Sequence, residues 1–216
     1  MKKYKMLIFD MDGTILYTLE DLKNTTNYAL SEHGFPERTL EEVRQFVGNG
    51  IHKLIERAVP AGTSDADIEA VFTTFEIYYK DHCMDTTRPY DGINDLLTKL
   101  RAQGYMTAVV SNKVDFAVQD LVKDFFVGQF DVAIGEREGV RKKPAPDSVY
   151  EVLKEFDLKK DEVIYIGDSD GDYATAKNAG VDCILVEWGF RDRAFLESLG
   201  ATVFAKKPED ILDIVE

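Results

Sequence analysis

A chain of 216 residues, 44% hydrophobic and 31% charged, has the make-up of a globular protein: one large domain, or a core with a smaller insert. Its net charge of −14 opposes nucleic acid and anionic membranes, so neither is an expected partner, and an anionic small substrate would need a metal and a few lysines to reverse the sign locally. No run approaches the roughly 18 apolar residues of a membrane span; the short apolar stretch after Met1-Lys2-Lys3-Tyr4 is no signal peptide, and the distant Cys83 and Cys183 give neither metal spacing nor a disulfide framework, which points to a reducing cytoplasm.

The first element is the apolar run Met6-Leu7-Ile8-Phe9, which reads as a strand buried on both faces, as in parallel sheets. Asp10 and Asp12 follow it, then Gly13, which permits a tight turn, and Thr14, which adds a hydroxyl. Residues 15–85 read as helical almost throughout. Leu19, Leu22, Thr26, Ala29, Leu30 and His33 keep a helical period until Gly34-Phe35-Pro36 stops it. A second helix begins near Thr39, with Glu41 and Glu42 in its first turn, and Gly48-Asn49-Gly50 breaks it. The third opens at Ile51-His52-Lys53 and ends at Pro60 and Gly62; the fourth is capped by Ser64 and Asp65 and carries Val71, Phe72, Phe75, Tyr78 and Tyr79. Helices in succession without a strand form a bundle-like insert just after the first strand.

From Tyr90 the pattern alternates. Asp91 and Gly92 open a helix through Ile93, Leu96, Leu97 and Leu100, closed by Gly104. Residues 106–110 form a strand ending at Ser111-Asn112-Lys113, and residues 130–134 form another, followed by a loop with Arg141-Lys142-Lys143-Pro144. Val149, Val152, Leu153 and Phe156 give one helical face. The strand at 163–166 ends in Gly167-Asp168-Ser169-Asp170-Gly171-Asp172; a close-packing helix with Ala174, Ala176 and Ala179 is capped by Gly180, and residues 183–186 form the last strand. Such alternation argues for an α/β fold with a doubly wound parallel sheet.

Two acids end the first strand, Ser111 and Asn112 the second, a lysine beside a proline follows the third, and an acid cluster follows the fourth. In open α/β sheets the carboxyl ends of the strands are where ligands sit, so these groups would converge on one crevice. Unpaired carboxylates there repel, and a hard cation such as magnesium, bound through oxygen, removes the conflict.

The motifs Asp10-Met11-Asp12-Gly13-Thr14, Ser111-Asn112, Lys143-Pro144-Ala145-Pro146-Asp147 and Gly167-Asp168-Ser169-Asp170-Gly171-Asp172, with Ala176 and Ala179-Gly180 after them, resemble those of the haloacid dehalogenase superfamily of aspartate-nucleophile phosphatases. Within it the chain looks like the phosphoglycolate phosphatase-like branch, in which a segment similar to Trp188-Gly189-Phe190-Arg191 also recurs. The resemblance covers nearly the whole chain. It implies a Rossmann-like core at 1–14 and 86–216 and an inserted helical cap at 15–85. One departure is Tyr17-Thr18, where many relatives carry Asp-Ser, so a carboxylate is lost near the cap hinge.

By the same resemblance Asp10 is the nucleophile, forming an aspartyl-phosphate. Asp12 protonates the leaving oxygen and then deprotonates the attacking water, and its backbone carbonyl joins Asp10 and Asp168 as a magnesium ligand. Ser111 and the Asn112 N–H meet phosphoryl oxygens, and Lys143 balances charge on phosphorus. Thr14 and Asp172 support this set from behind, with Asp170 as the alternative to Asp172. The expected activity is magnesium-dependent hydrolysis of a small phosphorylated metabolite, phosphoglycolate first, by a monomer or homodimer. Rivals on the same core are a sugar phosphate mutase similar to β-phosphoglucomutase, a pyrophosphatase and a nucleotidase; from another class, a phospho-accepting receiver, which the insert and Asp12 oppose.

Other polar residues carry plainer readings. Arg141 and Lys142 are solvated charges, Asp147 and Ser148 cap the next helix, and His33 and His82 are structural. Lys113 lies within reach of the crevice, but a solvated charge is the preferred reading. Asn49, His52 and Lys53 sit where a helix opens with free N–H groups, a candidate anion-holding specificity loop.

Overall fold

The computed structural model describes residues 3–48 and 50–216. In chain order the elements are β1 (Met6–Phe9), β2 (Leu16–Tyr17), α1 (Leu19–Glu32), α2 (Leu40–Phe46), α3 (Ile51–Ala58), α4 (Asp65–His82), β3 (Arg88–Pro89), α5 (Ile93–Ala102), β4 (Met106–Val114), α6 (Asp115–Phe125), β5 (Val132–Glu136), α7 (Asp147–Glu155), β6 (Val163–Gly167), α8 (Asp170–Ala179), β7 (Asp182–Val186), α9 (Arg193–Ser198), β8 (Phe204–Ala205) and α10 (Asp210–Val215). The chain divides into two compact units, Met1–Leu16 with Pro89–Glu216, and Tyr17–Arg88. The sequence-based borders fall a few residues short of these, because the crossings are carried by β2 and β3, which pair as a two-stranded sheet too short to leave a periodic signal.

The larger unit is an α/β doubly wound sheet. Its six strands run in the order β5-β4-β1-β6-β7-β8, and neighbouring strands pair in parallel. β1 is central and wholly buried, with Phe9 in register with Val109 on one side and Ile166 on the other. Pleating sends alternate residues to opposite faces. Met6 and Ile8 pack with Ala108, Val110, Ile134 and Tyr165 against Val149 and Val152 of α7 and Ala176 and Ala179 of α8. The small alanines of α8 let that helix lie close to the sheet. The strand order reverses at β1, so β1, β4 and β6 present their carboxyl ends at the switch point where ligands bind in this architecture.

The helical unit has its own core, with Leu22, Leu30, Val43, Leu54, Ile55, Val71 and Phe75 buried. Its helices start on local chemistry. Thr39 and Glu42 form a reciprocal capping box, and the Ser64 hydroxyl accepts from Asp67 N–H at 3.2 Å. Among the described residues no helix is long and apolar enough to cross a membrane.

Several local expectations are corrected. The strand expected to end at 110 continues as β4 to Val114 through a register shift between Val110 and Val114, so Ser111, Asn112 and Lys113 lie within its irregular end. Neither Asp147 nor Ser148 caps α7; the helix starts after Pro146 with no side-chain cap. The Asp147 carboxylate is instead taken by Arg141, whose Nε and Nη2 donate to it at 2.9 and 2.8 Å, a two-pronged charged bond stronger than a single N–H.

Candidate active site

The loop after β1 is wound tightly. The Met11 carbonyl accepts the N–H groups of Thr14, Ile15 and Leu16, and Gly13 N–H returns to the Leu16 carbonyl at 2.9 Å. Gly13 has φ +83°, and a Cβ there would lie 2.5 Å from Asp168 Oδ2. The turn therefore requires glycine on both backbone and packing grounds. It leaves the Asp10 side chain buried and the Asp12 side chain partly exposed.

Lys143 is the hub. Its buried ammonium lies 2.7 Å from Asp10 Oδ1 and 2.7 Å from Asp172 Oδ1, with the Tyr165 hydroxyl at 3.2 Å. Its backbone is held by the side chain of Asn112: Lys143 N–H donates to Asn112 Oδ1 at 2.8 Å, and Asn112 Nδ2 donates to the Lys143 carbonyl at 3.0 Å. Burial opposes the charge on Lys143, but Asp10 and Asp172 outweigh it and hold the ammonium well above its ordinary range.

Asp168 and Asp172 are set by the turn between β6 and α8. Asp172 Oδ2 accepts the N–H groups of Asp168 and Ser169 at 3.1 and 3.0 Å and the Ser169 hydroxyl at 2.6 Å. Burial pushes the Asp172 carboxyl upward, yet Lys143 and Ser169 hold it below its usual value. Asp168 Oδ1 accepts from the Thr14 hydroxyl at 3.0 Å and Oδ2 from Phe190 N–H at 2.8 Å. Trp188 Nε1 donates to the Thr14 carbonyl at 3.0 Å, and Arg191 Nε pairs with Asp170 at 3.0 Å. Two glycines make room for the acids. A Cβ on Gly189 would sit 2.2 Å from Asp168 Cβ, and one on Gly167 2.3 Å from Asp172 Cβ.

Asp10, Asp168 and Asp172 each offer an oxygen within 4.8 Å of the others. The donor chemistry fits a hard divalent cation. Asp10 Oδ1 is buried with the Lys143 ammonium, 2.7 Å away, against it and room for a further cation. Both oxygens of Asp172 are already committed, whereas each Asp168 oxygen accepts one hydrogen bond among the described residues and keeps a lone pair for a cation. Burial first, and the Asp172 charge second, push Asp10 up to about 7 despite Lys143, and Asp168 well above its ordinary range. Such conflict is what oxygen-bound magnesium relieves.

The expected core residues Asp10, Asp12, Thr14, Ser111, Asn112, Lys143, Asp168 and Asp172 all lie at or just after the carboxyl ends of β1, β4 and β6, in the loop after β5 or in the first turn of α8. The contact to Lys143 is made by Asp172, while Asp170 is occupied by Arg191. In the helical unit Asn49 lies outside the described residues. His52 is flanked by acids, with Nδ1 3.1 Å from Glu56 and Nε2 2.6 Å from Glu69, and Lys53 pairs with Glu56. Local carboxylates thus occupy the His52 ring and the Lys53 ammonium that were expected to greet an anion. Sequence reasoning missed the Asn112 clamp, the Tyr165 hydroxyl and the backbone donor of Phe190. The Trp188-Gly189-Phe190-Arg191 segment was a usable signal for the last.

A family model for haloacid dehalogenase-like hydrolases matches residues 7–186. A phosphoglycolate phosphatase from Pseudomonas putida is 31% identical, over 97% of this chain and 76% of its own length. An N-acetylmuramic acid 6-phosphate phosphatase from Pseudomonas aeruginosa is 27% identical, over 99% of this chain and 96% of its own length. The crystal structure of a provisionally named phosphoglycolate phosphatase from Lactobacillus delbrueckii subsp. bulgaricus has 39% sequence identity and a TM-score of 0.95, covering 100% of this chain and 99% of the other.

Proposed function

Because the chain belongs to the haloacid dehalogenase-like hydrolase family and is a phosphatase, we propose that it hydrolyses a small phosphomonoester, 2-phosphoglycolate first, through a phosphoaspartate at Asp10. The observation that carries this reading is the buried meeting of Asp10, Lys143 and Asp168 at the sheet's switch point. Magnesium would be held by Asp10 and Asp168 and by the Asp12 backbone carbonyl. When bound it supplies the positive charge that offsets repulsion between a carboxylate and a phosphate dianion.

Asp10 attacks phosphorus and forms an acyl phosphate that a single water molecule then hydrolyses. Lys143, fixed from behind by Asp172 and by Asn112, places an ammonium against the charge developing on the transferred phosphoryl oxygens. Ser111 supplies a hydroxyl and Asn112 a backbone N–H to the same oxygens. Asp12 gives its proton to the leaving oxygen as the P–O bond breaks, then takes one from the water that attacks the phosphoaspartate. Asp168, oriented by Thr14 and Phe190 N–H, has no part in proton transfer. The helical unit serves as a cap that selects the leaving group, and the enzyme works in the cytoplasm.

Phosphoglycolate is favoured by the relative from P. putida, and a sugar phosphate is the second reading, favoured by the relative from P. aeruginosa. A screen of phosphorylated metabolites with magnesium, and again with excess EDTA, tests both. Repeated turnover lost in EDTA and ranked with phosphoglycolate first supports the reading. Release of one leaving alcohol per enzyme, with the phosphoryl group kept on the protein and no further turnover, points to a receiver, and no release from any ester overturns the assignment.

A further inference from the structure

Lys113 was read from sequence as a solvated charge, and the structure places it otherwise. Its side chain is 4% exposed, and its ammonium lies 3.0 Å from Asp12 Oδ1 and 3.3 Å from Oδ2. Burying an ammonium is costly unless it meets a partner of opposite charge.

The local backbone is built to put it there. After Val110 the β4–β5 register shifts, and Lys113 N–H donates to Ser111 Oγ at 3.2 Å. The irregular strand end presses on Gly135, where a Cβ would lie 2.4 Å from Asp115 Cα and 2.7 Å from the Lys113 carbonyl. Asp115 Oδ1 in turn accepts Gly135 N–H at 2.7 Å, locking the irregularity against β5. A strand that continued regularly past Val110 would send residue 113 elsewhere, since side chains alternate between faces.

We propose that Lys113 is a positioning residue for Asp12, holding its carboxyl group where it meets the leaving oxygen. This rests on the acid–base role given to Asp12 above. Asp12 stands in a turn with its side chain 22% exposed, free to rotate toward solvent unless something holds it. One ammonium touching both oxygens restrains the last torsion of that side chain. In the first half-reaction the proton passes from Asp12 to the ester oxygen as the P–O bond breaks, leaving a carboxylate; Lys113 keeps its own protons and balances the charge. In the second, that carboxylate takes a proton from water as the water oxygen bonds to phosphorus and Asp10 is released.

A leaving group that needs no proton reports this role directly. Lys113→Met should lower kcat/KM for an alkyl phosphate such as phosphoglycolate by about 10- to 100-fold, in the range by which positioned acid–base groups act. For p-nitrophenyl phosphate, whose leaving phenolate departs unprotonated, the loss should be at least tenfold smaller. Lys113→Arg should recover part of the alkyl phosphate rate. A merely structural lysine, or one that binds the phosphoryl group, would lower both substrates alike, and equal losses overturn the proposal. Asp12→Asn is the control. If it shows the same leaving-group signature and Lys113→Met does not, only the positioning role falls; if Asp12→Asn loses both substrates equally, the acid–base reading of Asp12 falls first. Should Lys113→Met fail to fold, Lys113→Gln carries the same comparison.

Discussion

Asp10 in the sheet unit and Asp21 in the helical unit are both buried carboxylates, 8% and 1% exposed, and they are treated in opposite ways. Asp21 accepts Thr86 N–H at 2.9 Å, the Thr86 hydroxyl at 2.6 Å and Thr87 N–H at 2.9 Å. Neutral donors surround it, and its work is to tie the start of α1 to the segment that leads into β3. Asp10 has one lysine against Oδ1 and two further carboxylates within reach. A buried acid that is fully donated to is a structural tie; one left under-donated among like charges is poised for a cation and for chemistry. The same contrast holds for basic side chains. Lys143 is buried between acids, whereas His52 and Lys53 of α3 are half-exposed and paired with surface glutamates.

The largest expected effect breaks the sheet unit's side of this contrast. Asp10→Asn should cut kcat on any good substrate by about 10⁴-fold or more, as expected when a nucleophile acting within a unit is lost; a rate within tenfold of wild type removes Asp10 from that role. Next comes Gly189→Ala. Its Cβ would displace Asp168, and magnesium affinity, read by calorimetry or activity titration, should weaken by about 10- to 100-fold, as for other loss of support behind a metal ligand. On the helical side, Asp21→Ala leaves a buried N–H of Thr87 and a part-buried N–H and hydroxyl of Thr86 without their acceptor. It should cost about 2–4 kcal/mol in urea unfolding, since each orphaned donor costs about 1–3 kcal/mol.

The stability of the metal-free protein should respond to Asp10 with the opposite sign. Its carboxyl, ordinarily at 3.8, is raised to about 7 by burial, so ionising it opposes the fold as pH climbs from near 4 through 7. Asp10→Asn should therefore raise Tm at pH 8, by on the order of 5 °C, with the gain shrinking toward pH 4. The same shift makes magnesium binding release a proton, so apparent affinity should rise with pH through about 7. The smallest effect is expected at His52→Gln. With two glutamates at its ring nitrogens, it should alter substrate ranking by no more than about fivefold, well under 1.4 kcal/mol.

Much of the sheet unit is legible from sequence because its chemistry sits at strand ends. An apolar run followed by Asp10, and another followed by Asp168, place two acids at the same edge of adjacent parallel strands, as the pairing of β1 with β6 bears out. What is not legible depends on partners without a sequence mark. The Phe190 donor to Asp168 is a backbone N–H, which any residue but proline carries. Lys113 reaches Asp12 only because β4 is irregular, and that irregularity is recorded in a glycine on another strand, Gly135. β8 is a two-residue strand, below the length at which alternation can be read. Asp147 looks like a helix cap until Arg141 is seen to take it. The glutamates around His52 include Glu69 of α4, a tertiary neighbour that helical periodicity does not announce.

Chemical trapping tests the central claim most directly: with magnesium and substrate, acid quench within one turnover followed by borohydride reduction should convert the Asp10 side chain, and no other carboxylate, to an alcohol visible in the peptide mass spectrum. Continued turnover with the reduction absent from Asp10, or found at Asp12 or Asp168, would contradict the account.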